Sequence, residues 1–199
     1  HEAGTATTGS NSTGIGRHAL TANTSGINTA VGYRALDANT TGTSNVAIGV
    51  DALGGNVDGD QSVAIGTEAL LVQDPSGNAD MNNVAVGYRA LYANTTGTQN
   101  NAIGSGALDA NTTASYNTAM GHNALGANTT GAGNTALGQT ALTATTTGAQ
   151  NVGIGAGAGA AITTANNNTA VGYTALAANT TGLQNIAIGT NALTATTTA

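Results

Sequence analysis

The sequence has little of what a globular core or a chemical site needs. Its 199 residues include no cysteine, tryptophan or phenylalanine and a single proline, and only 6% of them are charged. A soluble domain normally carries about a quarter charged residues and builds its core from large side chains. Because much of the apolar content here is alanine, the chain cannot fill a thick core. We expect a thin and long core instead.

The scarcity of charge also excludes classes of function. The net charge is −6, and all positive side-chain charge comes from Arg17, Arg34 and Arg89. Nucleic-acid binding needs a basic stripe, which three scattered arginines do not form. No apolar run approaches the roughly 20 residues of a membrane-spanning helix, so we expect no membrane span.

The absence of cysteine fits an extracellular protein that needs no redox chemistry. The sequence starts at His1 rather than at methionine, so the chain is either processed or a fragment; if it is processed, we expect that a secretory signal was removed. We therefore expect a secreted or cell-surface location.

What the sequence does contain is a repeat. The unit N-x-A-[IV]-G-x-x-A-L-x-A-N-T-T-G-x-x recurs eleven times, and its positions are numbered 1 to 17 below. The glycine at position 5 returns every 17 residues, except for a first interval of 16 and an interval of 21 between Gly66 and Gly87. We expect a lead-in segment at 1–11 and one repeat domain at 12–199, with a four-residue insertion within 71–82.

Two positions of the unit carry the larger aliphatic side chains. Position 4 is Ile15, Val31, Ile48, Ile65, Val86, Ile103, Met120, Leu137, Ile154, Val171 and Ile188. Position 9 is Leu20, Leu36, Leu53, Leu70, Leu91, Leu108, Leu125, Leu142, Leu176 and Leu193, with Gly159 in the remaining copy. Position 8 is alanine in every copy, and position 3 is alanine or glycine.

This pattern predicts an all-β fold, a parallel β-solenoid of about eleven coils. Two glycines per unit would each cost about 1 kcal/mol inside a helix, and Asn-Thr-Thr favours turns and strands. We expect two short strands per coil, x-A-[IV]-G and x-A-L-x-A, with positions 4 and 9 stacked as the core. Strand side chains alternate, so the small residues at positions 3 and 5 would face outwards. We expect that small-residue face to pack against another chain.

The N-x-A-[IV]-G-x-x-A-L core resembles the head repeats of trimeric autotransporter adhesins. It is still more similar to the "NTAVGY-ALxANTTG" repeats of bacterial surface and phage tail-fibre-like proteins. The resemblance covers about residues 12–199 and implies a left-handed β-roll in which three chains lie side by side. This unit is longer than the familiar head repeat, and the chain lacks the family's anchor and coiled-coil stalk.

No constellation of residues points to catalysis, so we expect no enzyme. His1, His18 and His122 are far apart, and no Ser-His-Asp arrangement can be defended. Gly-x-Gly strings such as 153–159 lack the strand and helix of a phosphate-binding loop. We expect no cofactor other than a candidate metal ion.

The candidate metal site is an acidic cluster. Six of the nine acidic residues lie between Asp51 and Asp80. Asp58 and Asp60 belong to one turn, and Asp74 and Asp80 to the lengthened loop 71–82 that contains Pro75. Oxygen ligands at alternate positions suit Ca²⁺, and a solvated acidic turn is the alternative. If the chain has a dedicated recognition site, for a host surface or a glycan, we expect it at this loop.

The turns carry a further motif with two interpretations. Sequons occur at Asn23, Asn39, Asn94, Asn111, Asn128 and Asn179, and also at Asn11 and Asn167. Glycans attached there would line one edge of the rod. The same residues can instead be turn formers stacked in an Asn/Thr ladder.

These observations predict a structural module of an extracellular fibre or adhesin. Its partner would be itself, as a side-by-side trimer, a head-to-tail fibre, or both. We expect the fibre because the two ends of the given sequence share nearly one phase of the repeat and show no capping segment; the alternative is a segment of a longer chain whose capping domains lie elsewhere. The rival function is ice binding through the threonine ladders.

Overall fold

The fold is a stack of coils that each contribute one short strand. The computed structural model describes residues 11–24 and 26–195. Most of the predicted lead-in segment, including His1, and the last four residues lie outside this range. The strands are β1 Thr13–Ile15, β2 Thr29–Val31, β3 Val46–Ile48, β4 Val63–Ile65, β5 Val84–Val86, β6 Asn101–Ile103, β7 Thr118–Met120, β8 Thr135–Leu137, β9 Val152–Ile154, β10 Thr169–Val171 and β11 Ile186–Ile188.

The eleven strands form one parallel sheet in sequence order, which confirms the predicted β-solenoid. Equivalent positions pair throughout, so that Ala102 of β6 lies between Ala85 and Ala119. The register is kept across the 21-residue interval, where Ala64 pairs with Ala85. At about 4.8 Å between strands, the sheet is roughly 50 Å long. The handedness of the coil stays a prediction.

The apolar core consists of three stacked columns. Positions 3, 8 and 9 are buried from the second to the tenth coil, as in Ala102, Ala107 and Leu108, which are all 0% exposed. The prediction that Leu193 lies in the core is wrong, since it is 46% exposed in the last described coil. The leucine at position 9 reaches across the coil to position 3, since a Cβ built on Gly14 would lie 3.4 Å from Cδ1 of Leu20. One leucine facing small residues therefore fills the whole width of the coil.

The prediction that position 4 lies in the core is wrong. Ile48 and Ile103 are both 38% exposed and Met120 is 42% exposed, whereas Val31, Val86, Leu137 and Val171 are half-buried. The remaining members, Ile15, Ile65, Ile154 and Ile188, are exposed as well. The coil is too narrow for this column, because the leucine at position 9 already occupies the interior opposite the strand. Alanine at position 3 therefore points inwards, rather than towards a neighbouring chain.

The second predicted strand of each coil is a turn. Residues at positions 7 and 9 have positive φ angles, for example Arg89 at 54° and Leu91 at 53°. The backbone still bonds from coil to coil, since the N–H of Leu91 donates to the carbonyl of Ala107 at 3.0 Å. Residues in the left-handed backbone conformation bend the chain around the core, and those at position 9 direct their leucine side chains into it.

Glycine at position 5 is required by close approach between coils. A Cβ built on Gly104, whose φ is 132°, would lie 2.6 Å from the carbonyl oxygen of Gly121 in the next coil. No side chain fits at that distance. The glycine column thus lets neighbouring coils stack at the spacing that the sheet sets.

The interior also holds two columns of polar side chains. Position 1 is Asn28, Asn45, Ser62, Asn83, Asn100, Asn117, Asn134, Asn151 and Asn168, and all of these are buried. Position 12 is Asn23, Asn39, Asn56, Gln73, Asn94, Asn111, Asn128, Thr145 and Asn179, and all of these are fully buried. In the sixth coil both amides donate to the carbonyl of Ala114, Asn100 at 2.8 Å and Asn111 at 3.1 Å. The two columns thus hold the Asn-Thr-Thr turn against the start of the strand.

Candidate functional site

The outward face of the sheet is a continuous surface that runs along all eleven strands. Positions 2 and 4 of each strand point away from the core and alternate with the buried position 3. Five strands have aliphatic residues at both outward positions, namely β3, β4, β5, β9 and β11. None of the eleven strands has a charged residue at either position. We call these two columns the aliphatic face.

Polar columns border the aliphatic face in the sequence of each coil. Position 17 is exposed and often an amide, as in Gln61, Asn82 and Gln99. Position 6 is exposed in nearly every coil and includes Tyr88 and Tyr173, at 54% and 59%. An apolar centre with a polar rim that contains tyrosine is typical of protein–protein interfaces.

The arginines lie beside acidic and aromatic side chains. Nε of Arg34 is 2.8 Å from a carboxylate oxygen of Asp37, and this hydrogen bond raises the pKa of Arg34 above its usual value. Arg89 lies over the ring of Tyr92 at 4.0 Å and within 3.6 Å of Asp109. Burial raises the pKa of Asp109, and Arg89 opposes that shift. Arg89 joins its coil to the next through Asp109, as Arg34 does through Asp51 at 3.4 Å, and among the described residues the arginines form no basic patch.

The predicted glycosylation sites are inaccessible in the folded rod. Asn23, Asn39, Asn94, Asn111, Asn128 and Asn179 are each 0% exposed. Their amide nitrogens are engaged; that of Asn111, for example, donates to Oδ1 of Asn94 at 2.8 Å and to the carbonyl of Ala114. Glycans therefore cannot line this edge, and the stacked turn ladder is the interpretation that the structure supports. Asn11 and Asn167 are exposed.

The four predicted metal ligands are only partly brought together. Asp60 and Asp80 face each other in a parallel bridge between adjacent coils, and Asp74 accepts from the N–H of Val57, next to Asp58, at 3.3 Å. Asp60 accepts from the N–H of Thr43 and Asp80 from Gln61, both at 2.6 Å. Over the described part of the chain, no three His, Cys, Asp or Glu side chains form a group suited to a metal ion. The calcium site stays a prediction.

The insertion folds back over the preceding coils. Oδ1 of its Asn78 accepts from the hydroxyl of Thr41, two coils away, at 2.9 Å. Pro75 packs on Gly59, where an added Cβ would meet its ring at 3.0 Å. The inserted loop is therefore held against the rod rather than extended from it.

A groove lies beside this loop and was not predicted. Its volume is about 560 Å³, and its lining residues are Arg34, Gly54, Gly55, Leu71, Val72, Asp74 and Thr95. Each of the other coils has a side chain at one or both of positions 10 and 11, such as Asp37 and Ala38 of the second coil, where the third coil has Gly54 and Gly55. The Gly-Gly pair was the sequence signal for the groove, because it is the one place where both side chains are missing.

The histidines within the described residues do not form a catalytic pair. His18 packs edge-on against Tyr33, with ring centres 6.1 Å apart. His122 is exposed and lies six coils further along, which is roughly 29 Å at the spacing of parallel strands.

Comparisons of the chain with protein families, with curated proteins and with solved structures found no match. The resemblance to adhesin head repeats therefore depends on the repeat pattern alone. Within the described ranges, no helix has the length and apolar character that crossing a membrane requires.

Proposed function

We propose that this protein is a rigid structural rod that associates side by side with copies of itself, as a module of an extracellular fibre or adhesin. The observation that carries the proposal is the aliphatic face. A lone rod would leave this uncharged strip in water along its whole length. Contiguous exposed apolar patches of several hundred Å² are characteristic of interaction sites.

The size of the face supports association between copies. Eleven strands at about 4.8 Å and two outward columns give a strip of roughly 50 Å by 10 Å. Pairing two such strips removes about 1,000 Å² from water, which is the lower limit for a stable interface. A second copy is a fitting partner because its strip has the same length, flatness and lack of charge.

The stoichiometry that we propose is three, following the resemblance to trimeric adhesin heads. Head-to-tail growth is a second mode of assembly, because β1 and β11 are the outer strands of the sheet and no described strand pairs with their outer edges. In both modes the protein supplies length and surface rather than chemistry.

Charges placed on the aliphatic face test the lateral association. Val86→Asp combined with Ile103→Asp puts two carboxylates on adjacent strands, where a paired face would bury them without partners. Thr96→Asp combined with Thr113→Asp is the matched control, because these exposed threonines belong to the same two coils. Multi-angle light scattering gives the mass, and circular dichroism checks the fold.

We expect a wild-type mass near three times 19.0 kDa and the same mass for the control. The Val86 and Ile103 variant should run as a folded monomer. A monomeric wild-type protein at micromolar concentration would overturn lateral association, as would an aliphatic-face variant that keeps the wild-type mass.

Ice binding is the second candidate, and one column of threonines favours it. Position 14 is an exposed threonine in six consecutive coils, namely Thr96, Thr113, Thr130, Thr147, Thr164 and Thr181. The preceding threonines are unsuitable, since hydroxyls such as that of Thr95 donate to the next coil's carbonyl at 3.1 Å. Thermal hysteresis of the purified protein, lost in Thr130→Leu, would favour this function over the structural rod.

A further inference from the structure

We propose that the groove beside the inserted loop binds one neutral saccharide unit. This inference rests on the adhesin part of the proposed function and gives it a site and a class of ligand. The groove lies beside the 21-residue interval of the repeat, between Gly66 and Gly87, and combines the Gly54–Gly55 pair with a loop that folds back on the rod. A purely architectural rod has no need for either departure.

The floor of the groove depends on Gly54 and Gly55. A Cβ on Gly55 would lie 2.6 Å from the carbonyl oxygen of Leu71, and one on Gly54 would lie 3.2 Å from Cδ1 of Leu71. The backbone of the third coil therefore lies directly against Leu71 of the fourth coil, an approach that a side chain at Gly55 would prevent. The volume of the groove, about 560 Å³, falls within the range of roughly 300–1,000 Å³ found for small-molecule sites.

The walls carry the groups that a sugar ring needs. Leu71 and the exposed Val72 offer an aliphatic surface to the C–H face of a pyranose. Asp74 and the hydroxyl oxygen of Thr95 offer acceptors for its O–H groups, and Arg34 supplies N–H donors. The proton of Thr95 is donated to the carbonyl of Thr112. One oxygen of Asp74 accepts from the N–H of Val57 at 3.3 Å beside the groove.

The charges around the groove select against acidic sugars. Arg34 is already paired with Asp37 at 2.8 Å and Asp51 at 3.4 Å, so its positive charge is neutralised. Asp74 then gives the lining a negative character, within a chain of net charge −6. A carboxylate on the ligand would be repelled, whereas a neutral hexose would keep every hydrogen bond.

Saturation-transfer difference NMR with the full chain tests the proposal. The probes are methyl glycosides of the common neutral hexoses, and N-acetylneuraminic acid is the acidic counter-probe. Val72→Trp should fill the groove and abolish saturation transfer. Asp74→Asn keeps the oxygen that accepts from Val57 and removes the charge, so it should weaken binding about tenfold. Ala127→Trp, at the same repeat position three coils further along, is the matched control and should bind like the wild type.

We expect at least one neutral glycoside to bind the wild-type chain with millimolar affinity. We also expect Val72→Trp to abolish this binding and Asp74→Asn to weaken it. The proposal is overturned if no neutral glycoside shows transfer, if N-acetylneuraminic acid binds more tightly, or if Val72→Trp and Asp74→Asn both leave binding unchanged. The mass of the same samples is measured by light scattering. A monomer that binds sugar would therefore reject only lateral association, and a multimer that binds none would reject only this inference.

Discussion

At the residue scale, the buried asparagines hold the coils together by hydrogen bonds, whereas an ordinary core is held together by the packing of large side chains. In the seventh coil, Asn117 donates to the carbonyl of Gly131 at 3.0 Å, and its Oδ1 accepts from the N–H of Asn134 at 2.8 Å. It thereby pairs one backbone group of its own coil and one of the next. Each asparagine thus both closes a turn and joins two coils. A buried backbone group left without a partner would cost roughly 1–3 kcal/mol.

Asn117→Ala should therefore destabilise the rod by about 1–3 kcal/mol, because it leaves the N–H of Asn134 unpaired, whereas the carbonyl of Gly131 keeps the amide of Asn128 as a donor at 3.0 Å. The loss should be local, since coils interact with their nearest neighbours. Hydrogen exchange should show fast exchange for the amide of Asn134 and for the coils around it. Thr113→Ala, at an exposed turn position, should change stability by less than about 0.5 kcal/mol. Unchanged protection of Asn134 in Asn117→Ala would contradict this interpretation of the columns.

The leucines at position 9 show a second balance at the residue scale. A left-handed conformation costs a residue with a side chain roughly 1–2 kcal/mol, and Leu108 has a φ of 52°. Burying a leucine completely contributes about 1.5–3 kcal/mol, which offsets that cost. Leucine is therefore tolerated in coil after coil at a position where glycine would relieve the strain.

At the scale of the element, each coil must fill the same cross-section, and the ninth coil does so with different residues. Gly159 lacks the usual leucine, and the fully buried Ile162 takes the place of the usual asparagine. A Cβ on Gly159 would lie 2.7 Å from Cδ2 of Leu142 and 3.0 Å from Cδ1 of Ile162. Both neighbours have thus moved into the space that the missing leucine leaves.

The two substitutions should therefore compensate each other. Gly159→Leu alone overpacks the coil and should cost about 1–3 kcal/mol, and Ile162→Asn alone leaves a cavity and should cost about 2–5 kcal/mol. The double variant restores the usual pair, so its loss of stability should be smaller than the sum by at least about 1 kcal/mol. Chemical denaturation of the four proteins measures this coupling. Additive losses would show that the two sites are independent.

The insertion is compensated in a similar way within the fourth coil. Ser62 and Gln73 occupy the two positions that are usually asparagine, and Nε2 of Gln73 donates to the hydroxyl of Ser62 at 3.1 Å. Oε1 of Gln73 accepts from Asn83 of the next coil at 2.9 Å. A longer and a shorter side chain together replace the usual pair where the lengthened loop alters the turn.

At the scale of the whole molecule, stability accumulates along one axis. All contacts between strands are between neighbours in the sequence order, and no strand pairs across the stack. If one full period of 17 residues is removed, the following coil takes the place of the deleted one. The contacts between neighbouring coils can therefore still form.

Deletion of residues 118–134 removes 17 residues and joins Asn117 to Thr135, which keeps the phase of the repeat. We expect a folded rod that is shorter by about 4.8 Å. Deletion of 118–125 breaks the phase and should unfold the neighbouring coils. Small-angle scattering and circular dichroism distinguish the two proteins, and equal behaviour of the two deletions would contradict a stack of equivalent coils.

The sequence by itself determined the period, the number of coils and the parallel solenoid. These follow from spacing, because a residue type that returns every 17 positions must meet the same environment each time. The position of the irregular interval was equally plain, since it is the only 21-residue spacing between repeat glycines.

Only the tertiary structure decided which side of the strand faces inwards. Alternation shows that positions 3 and 4 lie on opposite faces, but it does not say which face is enclosed. That depends on the width left when the chain closes on itself, and Leu108 reaching across from the opposite wall leaves room for Ala102 but not for Ile103. The same closure buried Asn111 instead of exposing it, and opened a groove above Gly54 and Gly55, because side chains from separate parts of the repeat share one narrow interior.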